Sequence, residues 1–330
     1  MTDQDDALSL PPSVTPFSLP RDFLDNRFVY AVISPRAGGL SLGVNMNPDK
    51  RCNFDCGYCE VDRSAPARES ALDVEVMAEE LRATLQSIFS GEICRRPRYR
   101  DLSRHLLELR HVALSGDGEP TLCPNFTQVV QAVVHLRALQ DGQFFKIVLI
   151  TNGTELDSPG VEAGLQYLTT HDEIWIKLDA GSQAYADRVN RGAVPLEKVL
   201  GNTLALGRKR PIVIQSLFPL VAVEKPSQEE IDHYIGRLNE LKTSGARISL
   251  VQIYSATRPT PQSACGHMPL KALSAIRQRV KAETGLKQKS FDPPWGSRGP
   301  GEWFNLVPAG MPAMFASCSR WNLQISPACP

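Results

Sequence analysis

The chain has 330 residues, 42% hydrophobic and 22% charged, which excludes a disordered or fibrous protein and fits a soluble globular one. Lys plus Arg and Asp plus Glu each total 36, so a net charge of zero gives no whole-molecule attraction to nucleic acid or anionic membrane. No stretch is long and apolar enough to span a bilayer, and the opening residues lack a basic, then apolar, secretory signal, so the expected address is the cytoplasm, away from membranes.

Residues 1–25 are acidic and punctuated by proline without apolar periodicity, which predicts a flexible N-terminal arm. From 26 to 285, short apolar runs alternate with helical patterns. Strands are predicted over residues 40–46, 111–114, 145–151, 173–178, 211–218 and 248–254, each rich in Val, Ile, Leu or aromatics, as strands covered on both faces are. Between them, Asp73 caps a helix whose Val74, Met77, Leu81, Leu85 and Ile88 share one face, ended by Gly91. Phe126, Val129, Val130, Val133 and Val134 mark a second. Ser227 and Glu230 form a capping box before Ile231, Tyr234, Ile235, Leu238 and Leu241, and Leu270, Leu273, Ile276 and Val280 mark a last stripe. All of these stripes read as core packing. The alternation implies parallel strands joined by right-handed crossovers, and six countable units predict an α/β fold, a partial (β/α)6 barrel, with a doubly wound open sheet as the alternative. Residues 286–330, rich in Pro, Gly and Trp, read as an irregular C-terminal extension.

Three of eight cysteines fall within eight residues. Cys52, Cys56 and Cys59 form a C-x3-C-x2-C group just after the first predicted strand. Thiolates hold iron–sulfur clusters, and three ligands leave one iron of a four-iron cluster open to a cofactor or substrate. The alternative is structural zinc in a non-catalytic binding protein, which needs a distant fourth ligand. Cys265, Cys318 and Cys329 are too scattered to suggest a second cluster.

With an aromatic residue, Tyr58, before the third cysteine, the triplet resembles the hallmark of the radical S-adenosylmethionine (SAM) superfamily. Ser115-Gly116-Asp117-Gly118-Glu119-Pro120 after the second strand is similar to that family's Gly-Gly-Glu-Pro segment, with Asp117 in place of the first glycine. Thr151-Asn152-Gly153, Lys177-Leu178-Asp179, Asn190-Arg191-Gly192, Gln215-Ser216, Gln252-Ile253-Tyr254 and Arg258-Pro259 resemble, in order, the branch containing the wyosine-base tRNA synthases. The resemblance implies a radical SAM barrel carrying one [4Fe-4S] cluster on Cys52, Cys56 and Cys59. It implies SAM bound by Gly116, Asp117, Gly118 and Glu119, whose carboxylate would receive the cofactor's ammonium group. Asn152, Lys177 and Asp179 would take the ribose hydroxyls and the methionine carboxylate, Tyr58 would lie near the adenine, and Arg191 is a further candidate. Each motif falls at the carboxyl end of a predicted strand, where barrels carry function. No flavin domain is seen, so an external one-electron reductant of flavodoxin or ferredoxin type is implied.

The substrate is left open between a tRNA base and a small molecule, with activation of another enzyme by glycyl-radical formation as a third use. The run Arg95-Arg96-Pro97-Arg98-Tyr99-Arg100 reads as a solvated loop, with RNA phosphate contact as its alternative. His105, His135 and His233 have no partner at ligand spacing and read as surface or packing residues.

Overall fold

The computed structural model describes residues 16–140, 143–256 and 265–291. Among the described residues ten strands are formed: β1 (Val29–Ser34), β2 (Gly39–Asn45), β3 (Leu109–Ser115), β4 (Lys146–Thr151), β5 (Glu173–Lys177), β6 (Ile212–Leu217), β7 (Leu220–Val221), β8 (Ile248–Tyr254), β9 (Cys265–Gly266) and β10 (Gln288–Phe291). The helices are α1 (Val74–Phe89), α2 (Arg104–Leu107), α3 (Phe126–Ala138), α4 (Pro159–Leu165), α5 (Gln183–Val189), α6 (Leu196–Lys209), α7 (Gln228–Thr243) and α8 (Leu270–Thr284). Eight strands make one sheet in the order β1-β2-β3-β4-β5-β6-β8-β10, and β7 and β9 form a separate antiparallel ribbon. From β2 to β10 every neighbouring pair is parallel. This is the partial barrel, and the six predicted strands are all in it.

Two sheet strands lie outside that pattern. β1 pairs antiparallel with β2 as a hairpin on one edge, and β10, beyond residue 285, continues the parallel sheet past β8 on the other. A pattern of strand-then-helix units has no place for a hairpin, and the polar Gln288-Lys289-Ser290 gives no apolar signal. Residues 16–25 are also tied to the body rather than trailing from it. Asp22 exchanges backbone hydrogen bonds with Ala31, Tyr99 donates its hydroxyl to Asp22 at 2.9 Å, and Arg21 pairs with Asp117 at 2.5 Å. The rest of the predicted arm, residues 1–15, and most of the predicted extension, 292–330, lie outside the described residues. So do Arg258, Pro259, Cys318 and Cys329.

The helices cover the outer face of the sheet through the predicted stripes. Asp73 accepts the Glu75 and Val76 N–H groups at the start of α1, a cap worth about 1 kcal/mol, and Met77, Leu81, Leu85 and Ile88 are buried. At α7 only half the capping box forms. Ser227 accepts the Glu230 N–H, but the Glu230 carboxylate turns away to accept from the Gly181 N–H at 2.5 Å and from Ser182. That choice anchors α7 to the loop after β5. Only glycine fits at 181, because a Cβ there would lie 2.0 Å from the Tyr234 backbone nitrogen.

Candidate active site

The loop after β2 carries Cys52, Cys56 and Cys59 as free thiols, each partly buried. Two other elements clamp its backbone. Asp55 and Gly57 donate to the Asn190 and Val189 carbonyls at 3.0 Å each, at the end of α5, and Glu119 donates its N–H to the Arg51 carbonyl at 2.9 Å. The Cys59 N–H closes a turn onto the Cys56 carbonyl at 3.0 Å. Asn190 donates its amide to the Cys56 sulfur at 3.5 Å, and Arg63 hydrogen-bonds Cys52 while its charge reaches Cys59. Burial pushes the Cys56 thiol up to about 12, so a thiolate there needs a cationic partner. Among the described residues, no three His, Cys, Asp or Glu side chains are grouped so as to hold a single metal ion.

The segment after β3 is shaped by close backbone approach. Gly116 has φ +136°, and a Cβ there would lie 2.2 Å from the Asn45 side-chain oxygen; at Gly118 it would lie 2.0 Å from the Arg51 carbonyl. Asn45, the last residue of β2, accepts from the Asp117 N–H at 2.9 Å and donates to its carboxylate at 2.8 Å. Glu119 is 3% exposed and its carboxylate is fully engaged. It accepts from the Thr121 N–H and hydroxyl at 3.1 and 2.7 Å, the Thr151 hydroxyl at 2.5 Å and the Asn152 N–H at 2.8 Å. Burial raises its pKa against the pull of those four donors. Asn152 in turn donates to the Asn53 side chain at 2.7 Å and accepts from Thr154, so the end of β4 reaches directly into the cysteine loop.

At the end of β5, Lys177, Asp179, Tyr58 and Asn190 form one network. Asp179 has no exposed side-chain surface; it accepts from Tyr58, from Asn190 at 3.0 Å and from the Leu217 N–H at 2.7 Å, and pairs with Lys177 at 3.1 Å. Lys177 also donates to the Tyr254 hydroxyl at 3.0 Å and lies 5.0 Å from the centre of the Tyr58 ring. Burial opposes its charge, but Asp179 and Tyr254 outweigh that and raise its pKa. Burial, reinforced by Asp179, raises that of Tyr58. Arg191, in a left-handed conformation at φ +48°, donates to the Asp55 carbonyl at 2.7 Å and braces the cysteine loop from outside. The site residues named from the sequence therefore lie at or beside these strand ends, with Asn152 tied to the cysteine loop through Asn53 and Glu119 spent on the turn at Thr121 and the end of β4.

Residues 46–235 of this surface-to-core arrangement match the Radical SAM superfamily. The chain belongs to the radical SAM superfamily. Radical SAM enzymes use S-adenosylmethionine and an iron–sulfur cluster, so the rival reading as a non-catalytic zinc-stabilised binding protein is set aside. A UPF0026 protein of Helicobacter pylori strain J99 is 25% identical over 182 residues, covering 54% of this chain and 52% of that one. The chain thus spans about half the length of the curated relatives it matches. Among solved structures, Streptococcus suis SuiB bound to S-adenosylmethionine has a TM-score of 0.53 at 15% identity, covering 77% of this chain and 51% of that one, a likeness of fold. TYW1 with a lysine-pyruvate adduct bound has a TM-score of 0.49 at 17% identity, covering 76% and 75%.

The concave face of this radical SAM barrel encloses a cavity of about 280 Å³. On β2, Gly39, Ser41 and Gly43 alternate with the buried outward-facing Leu40, Leu42 and Val44; Ser41 lines the cavity, while Gly39 and Gly43 make way for Arg110 and Tyr30. Gly43 lies directly beneath the Tyr30 ring, whose hydroxyl meets the Ser115 hydroxyl at 2.8 Å. Tyr30, Arg36, Ser41, His111 and Trp175 line the cavity, and none was named as a site residue from the sequence. Their signal was the small-residue alternation of β2, which period-2 reading of apolar residues alone passes over. No helix among the described residues is long and apolar enough to cross a membrane.

Proposed function

We propose that the chain holds one [4Fe-4S] cluster on Cys52, Cys56 and Cys59 and binds SAM across the ends of β3, β4 and β5. The observation that carries this reading is the clamping of a loop with three free thiols onto the Glu119, Asn152 and Asn190 supports. The donor set suits a cluster by its chemistry: three thiols of one loop, with an amide and a guanidinium directed at two of the sulfurs to offset thiolate charge. When bound, the cluster and SAM supply a carbon-centred radical that abstracts hydrogen from a substrate.

The chain's own residues bind and orient. Gly116 and Gly118, lacking a side chain, let backbone groups face the cofactor, and Lys177 and Asp179 are the polar pair at the end of β5 available to its ribose and carboxylate. Tyr58, held by Asp179 and Asn190, presents its ring toward the interior. Glu119 takes a different part from the one its motif implied. A carboxylate offers about four acceptor sites and all four are used by protein donors, so it positions the β3 and β4 loops while the Asp117 and Gly118 backbone is left for the ammonium group. The electron comes from an external flavodoxin- or ferredoxin-type reductant.

A small molecule is the substrate class we favour over RNA. Tyr99 of the basic run is 1% exposed, and Arg98 donates to the Pro20 carbonyl, so part of that run is spent on holding residues 20–22. Anaerobic reconstitution tests the whole reading: the expected results are cluster absorbance, an EPR signal altered by SAM, and 5′-deoxyadenosine release. Cys56→Ala should abolish all three, with release falling at least a hundredfold; unchanged turnover would falsify the cluster assignment.

A further inference from the structure

On the concave face of the barrel, three polar side chains make no hydrogen bond among the described residues. His111 and Ser41 are each 3% exposed and neighbours in the β2–β3 register, and no hydrogen bond to the His111 ring or the Ser41 hydroxyl forms among the described residues. Arg36, from the turn between β1 and β2, stacks 4.8 Å from the centre of the Tyr254 ring and buries its Nε without an acceptor. It makes no ion pair among the described residues, and its charge acts on His111. All three line the same cavity.

The other cations lining the cavity are already neutralised, and the carboxylate lining it, Glu60, sits beside Cys59 in the cysteine loop. Arg21 is paired with Asp117, and Lys177 with Asp179. Arg36 is the cation left over. Ala113, Ile150, Trp175 and Leu217 supply the apolar part of the cavity lining. An unpaired guanidinium, an imidazole and a hydroxyl beside an apolar lining are complementary to an oxyanion on a small organic body.

We propose that this cavity wall receives the anionic group, carboxylate or phosphate, of the substrate, through Arg36, His111 and Ser41. The proposal rests on the radical SAM reading for the reaction and adds the substrate's chemical class. His111 and Ser41 lie away from the place proposed for SAM, whereas Arg36, stacked on the Tyr254 ring whose hydroxyl accepts from Lys177, borders it. His111 precedes Ser115 by four residues along β3, which at 3.3 Å per residue sets it roughly 13 Å below Ser115, the residue before the Gly116–Glu119 segment. A substrate anchored there would place its remaining carbons between the anion wall and the cofactor.

The test titrates reconstituted holoenzyme with inorganic phosphate and, separately, with succinate, using chloride at matched ionic strength as the control. Calorimetry and the fluorescence of Trp175, whose ring meets His111 edge-on at 5.4 Å, are the readouts. Saturable binding of one or both anions is expected, and whichever binds more tightly identifies the group. Arg36→Gln should weaken it at least tenfold and His111→Ala at least threefold, with SAM affinity kept in both and folding checked by circular dichroism. Binding of neither anion by the wild type, equal binding by wild type and Arg36→Gln, or loss of SAM affinity in Arg36→Gln would each overturn the proposal. Wild type that binds an anion but releases no 5′-deoxyadenosine defeats the radical SAM reading alone; wild type that releases it but ignores both anions defeats this proposal alone.

Discussion

At Glu119 the role proposed here departs from the one its motif implies. Its carboxylate joins the turn at Thr121 to the end of β4 at Thr151 and Asn152, so its role is legible only when four donors are seen around it. Glu119→Gln keeps the shape but turns an acceptor into a donor, leaving a buried N–H facing another donor at a cost of about 1–3 kcal/mol. The expected result is a fall in Tm of several degrees and less cluster per chain, with SAM affinity within about threefold of wild type. A large loss of SAM affinity at unchanged Tm would return the carboxylate to the ammonium contact. Glu230 makes the same point from the other side: its spacing from Ser227 signalled a cap, yet a stronger use at Gly181 and Ser182 took the side chain.

At the level of elements, the parallel strands and their covering helices were readable because each is apolar with a clear period. α1 shows this best, with its cap and its buried face both where the pattern placed them. Leu81 has no exposed surface and sits mid-helix against the sheet, so Leu81→Ala should cost about 2–5 kcal/mol, measured by urea unfolding at constant m-value. What could not be read depends on distant partners. β10 is polar and becomes a strand only because β8 presents an unpaired edge, and β1 departs from the strand–helix rhythm by turning straight back on β2. The same holds for the site: cysteines and glycines carry local spacing, whereas Arg36, Ser41 and His111 acquire meaning only from the interior they share.

For the molecule as a whole, buried ionisable groups set the acid limit. Burial, with the charges of Lys146 and Arg36, lowers the pKa of His111 to about 3, well under the ordinary 6.5. Between those values the unfolded chain binds the proton that the folded one refuses, so stability rises with pH through that window and is lost as pH falls through it. Asp172 acts in the same direction lower down. Burial works against its charge, but the bidentate Arg137 contacts at 2.5 and 3.1 Å and the Ile147 and Thr169 N–H groups hold its pKa below the usual carboxylate range. Stability from that pair is present above the unfolded carboxylate pKa and disappears as pH drops through the folded one. Denaturant midpoints from pH 7 to 4 should therefore decline, and His111→Gln should flatten the slope between 6.5 and 4; an unaltered slope would show that His111 is not its source.

The contact of Arg21 with Asp117, and of Asp22 with Tyr99 and Ala31, has a practical corollary for anyone trimming the chain. An expression fragment starting at residue 26 looks harmless from composition, yet it would strip a counter-ion from an enclosed acid and an acceptor from an enclosed phenol. Such a fragment should melt several degrees lower than the full chain, and its cysteine loop, one backbone bond away through Glu119 and Arg51, should lose iron faster in air.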